Sequence, residues 1–377
     1  MLKRLTAAIL STALLLSLCG CGSMFEKEVV DINDYEPPAQ EKVSEAEKVT
    51  VRNFTALKKA ITDMVYSGAE GGSLAFDPNY DGDAVKDIEE ACWQLRTQNA
   101  LCAYCVVNIS YEISKIVTYF EAEISIDYAD SALPVSQIIQ LPYAIGVEDI
   151  LKEAMENNRT RIVLFINAST YSRDKMAQMV TDVYRSNPVC SVREPKTDVY
   201  LYSGGAMQRL YEINLDYGMP EDELIRCKSQ LKNLDVRSNT GAFNMDQAHE
   251  ALAAYRYLSE NCERSEDHNE NSAYSALIMG SADSEGVALA YVEMCHQLGI
   301  ECRIVYGQLY WQDHCWNIVQ IDGEYYHVDV SAAIGAEPGQ GFLLRDEDMW
   351  NSYRWDTASY PACGGVLTYW ELAENNA

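Results

Sequence analysis

The sequence predicts an α+β protein: two repeated small α+β modules, then a C-terminal unit with a helix packed on an antiparallel sheet. Three observations predict it. Landmarks between residue 51 and about residue 240 recur at nearly one offset: Phe76 and Phe165 lie 89 apart, Cys102 and Cys190 88, Asp127 and Asp216 89. Further on, Val287, Tyr291, Met294, Cys295 and Leu298 form a helical stripe that Gly299 ends, in a stretch apolar nearly all round, so the helix is expected to be buried. Two alternating runs then flank Asp322-Gly323, a strong two-residue hairpin signal.

The chain opens with Lys3 and Arg4 before an uncharged, largely apolar run from Leu5 to Leu18. That run is too short for a stable membrane span and follows a basic segment, so residues 1–20 read as a signal peptide. Its end, Leu18-Cys19-Gly20-Cys21, fits lipoprotein processing: cleavage before Cys21 frees that thiol for lipid, and acyl chains then hold the protein on a membrane. The expectation is an exported protein, anchored to the cell membrane through Cys21 and facing outside the cytoplasm. Residues 21–50 are acidic, proline-containing and poor in large apolar side chains, which suits a flexible tether spanning roughly 30 Å as a coil.

The chain carries 57 acidic against 29 basic residues, a formal net charge of −28. Nucleic acid is excluded as a partner, because phosphate binding needs a basic patch. No Gly-rich phosphate loop appears, and no cofactor is expected. Cys102-Ala-Tyr-Cys105 is a lone Cys-x-x-Cys without a second pair or a nearby histidine, so no metal site is expected either. Ten cysteines follow Cys21. Export would let them pair, burial would make them small hydrophobes, and both readings stay open.

The first module, residues 51–145, runs through SLAF (73–76), a helical stretch at Ala84–Thr97, Cys102 and EAEISIDY ending at Tyr128. The second, 146–240, runs through IVLF (162–165), Arg173–Arg185, Cys190 and RLYEINLDY ending at Tyr217. Each reads helix, strand, helix, hairpin. Neither holds a constellation of reactive side chains, so they read as spacers or docking surfaces.

Residues 241–377 carry the chemistry. If the turn sets Ile321 opposite Glu324, then Trp316 faces Asp329 and His314 lies two places along the same face. His314 and Asp329 become diagonal neighbours with β-carbons under about 7–8 Å apart, within side-chain reach. An acid there can hold an imidazole's tautomer. Alone, such a pair is more often a structural hydrogen bond than a catalytic dyad. Ser284-Glu285-Gly286 stands at the start of the buried helix, where serine also serves well as an N-cap.

These motifs resemble bacterial transglutaminase-like domains, members of the papain-like cysteine enzyme group. The resemblance rests on Ala273-Tyr274, Ala276-Leu277, Gly280, Glu285-Gly286, Ala288, Leu298-Gly299-Ile300, His314-Cys315-Trp316-Asn317 and Tyr325-Tyr326-His327-Val328-Asp329. It covers about Asp246 to Cys363 and leaves out the duplicated middle. It implies a nucleophile position at Ser284, a general base at His314 and an orienting acid at Asp329. Trp316 and Asn317, beside the histidine, become candidate binding residues.

The departures carry weight too. Ser284 replaces the family's cysteine, Asp283 an apolar residue and Val287 a tyrosine. The family nucleophile acts as a thiolate stabilised by imidazolium and a helix start, and a serine hydroxyl cannot be ionised that way. Cys295 lies eleven residues along the helix, roughly 16 Å off, and alternation turns Cys315 away from His314. The favoured reading is a cleft that has lost thiol chemistry and binds peptide or cell-wall material. The alternative is an active peptidase, amidase or acyltransferase with a Ser284–His314–Asp329 triad.

Overall fold

The computed structural model describes residues 48–188, 192–205, 207–267 and 269–374. The expected lipid site Cys21, the signal segment, all but the end of the tether and the landmark Cys190 lie outside them.

Strand β1 (Val49–Asn53) feeds helix α1 (Phe54–Ser67). The Asn53 side chain accepts a hydrogen bond from the Ala56 N–H, and Gly68 ends the helix at φ 72°, a region glycine enters without strain. Strand β2 (Gly71–Asp81), helices α2 (Ala84–Gln98) and α3 (Ala100–Cys105) and the hairpin β3 (Val106–Ile116)–β4 (Tyr119–Tyr128) follow. The sheet order is β1-β2-β4-β3, with β1 parallel to β2 and the other pairs antiparallel.

A second sheet holds β5 (Ile139–Tyr143), β6 (Arg161–Ala168), β7 (Lys196–Ser203) and β8 (Arg209–Asp216). Helices α4 (Val147–Glu156) and α5 (Arg173–Ser186) connect its first three strands. Its order is β5-β6-β8-β7, with the same senses of pairing.

Three expectations change here. Each sheet opens with a five-residue parallel strand that the helix–strand–helix–hairpin reading omits. β1 buries only Val51, so its alternation is too brief to register, and pairing makes it a strand. Because β5 pairs with β6, the second unit begins near Ile139 rather than at 146. Phe76 and Phe165 are not equivalent: Phe76 shares the buried face of β2 with Leu74, whereas Phe165 turns outward onto Tyr66 of α1, ring centroids 5.3 Å apart. One residue of slip in a strand exchanges its faces.

That outward face ties the units together. Ile162, Leu164 and Ile166 enter the core shared with the C-terminal unit, while Val163, Phe165 and Leu210 enter the core of the first unit. Arg161 donates to the Tyr104 hydroxyl at 3.0 Å and to the Ser131 carbonyl at 2.8 Å. β6 is therefore buried on both faces, which accounts for its unbroken apolar run.

The third unit begins with α6 (Glu221–Lys232), α7 (Val236–Thr240) and α8 (Gln247–Asn261). Since α7 packs on α8, the unit starts before the expected residue 241. Two-residue strands β9 (Glu263–Arg264) and β10 (Ser281–Ala282) lead to α9 (Ser284–Leu298). The main sheet follows: β11 (Cys302–Leu309), β12 (Gln312–Ile321), β13 (Glu324–Val328), β14 (Phe342–Leu344) and β15 (Tyr353–Arg354), in the order β14-β13-β12-β11-β15. α9 lies between α8 and this sheet, which explains a helix apolar on all sides. Ile321 pairs with Glu324 across the Asp322-Gly323 turn, both of whose residues have positive φ.

Candidate functional site

The helix start comes first. Asp283, not Ser284, is the N-cap of α9: its carboxylate accepts the Gly286 N–H at 2.9 Å. The extended backbone of Asp283 and its short acceptor side chain suit that place better than a residue already inside the first turn. Ser284 instead accepts a hydrogen bond through Oγ from the Cys315 N–H, at 3.3 Å. Gly286 lets the helix approach the chain before it, for a β-carbon there would meet the Glu270 carbonyl oxygen at 2.8 Å and the Ser272 nitrogen at 2.9 Å.

On the sheet, His314 Nε2 lies 2.7 Å from Asp329 Oδ2, and both side chains are buried. The Tyr353 hydroxyl donates to the same carboxylate oxygen at 2.7 Å, and the Ala332 N–H donates to the other at 3.0 Å. Burial, and then Asp329, push the Tyr353 pKa far up, so its hydroxyl stays a donor. Asp329 is thus fixed from three directions, and it orients the imidazole through Nε2. His314 Nδ1 has no hydrogen-bond partner among the described residues, and no hydrogen bond joins His314 to Ser284.

Both residues line one cleft of about 650 Å³ at the end of β12. Its wall carries Glu266, Asp283, Glu285 and Asp313 against a single Arg264. Alternation along β12 turns His314 and Trp316 to one face and Cys315 and Asn317 to the other, which α9 covers. Burial, then Glu285 and Asp283, raise the Cys315 thiol far above its ordinary range, so it stays protonated beside Ser284.

Trp316 and Asn317, expected as binding residues, do not reach the cleft. Trp316 is 1% exposed, and its indole N–H donates to His327 Nδ1 at 3.0 Å. Asn317 is fully buried and donates to the Ala288 carbonyl at 3.0 Å. Their motif positions serve packing of the sheet and of α9 upon it.

One group of metal-type ligands exists among the described residues: His327, Asp346 and Cys363, whose ligand atoms lie within 4.8 Å of one another. It does not suit a metal. The Trp316 indole can only donate, so His327 Nδ1 accepts and the ring proton sits on Nε2, 2.9 Å from Asp346. A protonated nitrogen has no lone pair to give. Burial lowers the His327 pKa against the opposing pull of Asp346, and burial pushes the Cys363 thiol up to about 12. Cys102 and Cys105, adjacent on α3, are likewise pushed up to about 12, mainly by burial.

Tyr353 and Arg185, which contacts Glu285, were not singled out from the sequence. The former is joined to its partner across 24 residues and the latter across 100, with no hairpin to count from.

The model of the transglutaminase-like superfamily matches residues 237–330. No curated protein matches the sequence. Among solved structures, a TGase is 10% identical with a TM-score of 0.26, covering 51% of this chain; this chain spans 58% of that one. A provisionally assigned cysteine protease from Cytophaga hutchinsonii is 12% identical with a TM-score of 0.26, covering 45% of this chain and 69% of its own. Menin is 21% identical over 34% of this chain and 31% of its own, with a TM-score of 0.25. Scores this low describe partial likeness, and the family match alone carries the assignment. Residues 237–330 of this chain are a transglutaminase-like domain.

Proposed function

We propose that the protein is an extracytoplasmic lipoprotein, held on the membrane through Cys21, whose transglutaminase-like cleft binds peptide or cell-wall material without performing thiol chemistry. One observation carries this reading: Ser284 Oγ is bonded to the Cys315 N–H and not to His314. A serine nucleophile needs a base in hydrogen-bond contact, since its hydroxyl does not ionise at a helix start as a thiol does. Asp283 also caps the N-terminus of α9, where an anionic nucleophile or intermediate would otherwise be stabilised. Four carboxylates on the cleft wall favour a ligand with amino groups, such as a peptide bearing free amines.

The alternative, a Ser284–His314–Asp329 triad, has one observation in its favour. His314 lines the same cleft as Ser284, and its Nδ1 has no hydrogen-bond partner among the described residues. A fluorophosphonate probe separates the two. The expected result is no covalent labelling of Ser284, together with calorimetric binding of cell-wall peptides weakened about tenfold by Glu266→Gln with Asp313→Asn, some 1.4 kcal/mol. Labelling of Ser284 that is abolished by His314→Ala would replace binding with catalysis.

A further inference from the structure

Arg185 belongs to the last turn of α5 in the second unit, yet its guanidinium rests on the C-terminal unit. Its Nε donates to Glu285 Oε1 at 3.2 Å, and its central carbon lies 3.9 Å from the centre of the Tyr306 ring. The Tyr306 hydroxyl donates to the same Glu285 oxygen at 3.1 Å. Glu285 follows Ser284 directly and lines the cleft. Its side chain is 16% exposed and that of Arg185 27%, so solvent screens the pair only in part. A second tie joins the same two units, from Arg193 to the Asn269 side-chain oxygen at 2.8 Å.

A half-enclosed carboxylate beside the nucleophile position needs compensation. Burial drives the Glu285 pKa up; Arg185 opposes it, Glu194 and Asp283 add to it, and Tyr306 counters it with a hydrogen bond. The Tyr184 hydroxyl, from α5, and Cys315, across the ladder from Tyr306, are the other ionisable neighbours of this cluster. Arg185 is the cation paired with Glu285, and it comes from outside the transglutaminase-like domain.

We propose that Arg185 is a positioning residue of the cleft, holding Glu285 in place and offsetting its charge, so that the second sheet unit sets the electrostatics at position 284. This goes beyond the binding reading and holds whether or not the cleft reacts. It also makes the second unit more than a spacer: the C-terminal domain alone would present an altered site.

The test uses the full chain with Ser284→Cys as a reporter thiol, its iodoacetamide alkylation followed against pH and corrected with the parent protein. Adding Arg185→Gln should raise the midpoint by about half to one pH unit, because a neighbouring cation is lost. Arg185→Lys, which keeps the charge, should stay within about 0.3 unit of the reporter. In a Glu285→Gln background, adding Arg185→Gln should move the midpoint by less than about 0.2 unit, showing that Arg185 acts through Glu285. Should Arg185→Gln fail to fold, Arg185→Met keeps the stem packed on Tyr306 and carries the same expectation. An unmoved midpoint in a folded Arg185 variant overturns the proposal, as does a rise that survives in full without Glu285.

Discussion

His327 shows how a side chain can shape pH response without touching the cleft. It is fully buried between the Trp316 indole and Asp346, and burial holds its pKa below the ordinary 6.5. The unfolded chain therefore takes up a proton near pH 6.5 that the fold resists. Its contribution is full above that value and is lost as pH falls through it. His327→Leu should cost about 1–3 kcal/mol at pH 7.5, since the Trp316 N–H loses its acceptor. The gap in melting temperature between parent and variant should then narrow toward pH 5.5. Glu285 and Glu293, whose pKa values burial raises, pull stability the other way in acid but do so in both proteins and cancel. A gap that holds constant across that range would show His327 to be charged in the fold. The contact of His314 with Asp329 was legible because a turn of known type fixes the count along two adjacent strands. Tyr353 was not, because its approach to Asp329 depends on the return of a long irregular segment. The cap of α9 was not legible, since propensity alone ranks Ser284 and Asp283 alike there.

At the scale of elements, helix α9 decides where the cleft can form. Its apolar circumference announced burial, and its two covering layers, α8 and the sheet, are what such a pattern requires. Gly286 sets two effects against each other. Alanine favours a helix over glycine by about 1 kcal/mol. Its β-carbon, however, would press on backbone atoms of residues 270 and 272, which cannot step aside as a flexible side chain can. Overpacking of this kind costs about 1–3 kcal/mol, so Gly286→Ala should be destabilising on balance. A urea midpoint that falls at unchanged slope would show it; a rise would mean that the loop yields freely. Short strands such as β1 and β5 escaped the sequence reading for the converse reason: pairing, not local pattern, holds them.

At the scale of the whole molecule, the strand pairing that builds each sheet was not legible. A repeat offset marks where similar segments recur, but the edges depend on which strand pairs with which, as β5 demonstrates. The independence of the units was overestimated as well, because outward-facing Val163, Phe165 and Leu210 look like ordinary strand residues until a second body covers them. The proposed attachment to the membrane through Cys21 belongs to this scale, as it would place the whole protein at once. Cells fed a fatty-acid analogue should incorporate it into the parent protein, and Cys21→Ala should abolish the label. Label persisting in Cys21→Ala would move the processing site elsewhere.

The covered face of the second sheet has a counterpart in the first that is built in the opposite sense. Where β6 and β8 offer Val163, Phe165 and Leu210 to a neighbour, the outer face of the first sheet offers Glu123, Ser125 and Asp127 from β4, all exposed, with Ser110 and Glu112 from β3 beside them. A further unit of the same kind, stacked in the same manner, would have to desolvate those carboxylates against apolar helices at several kcal/mol each. These side chains suit a face turned to water rather than to another sheet. A longer family member built on this plan would need its extra unit to come with hydrophobic replacements at these strand positions, and that substitution pattern is what a search for extended relatives should look for.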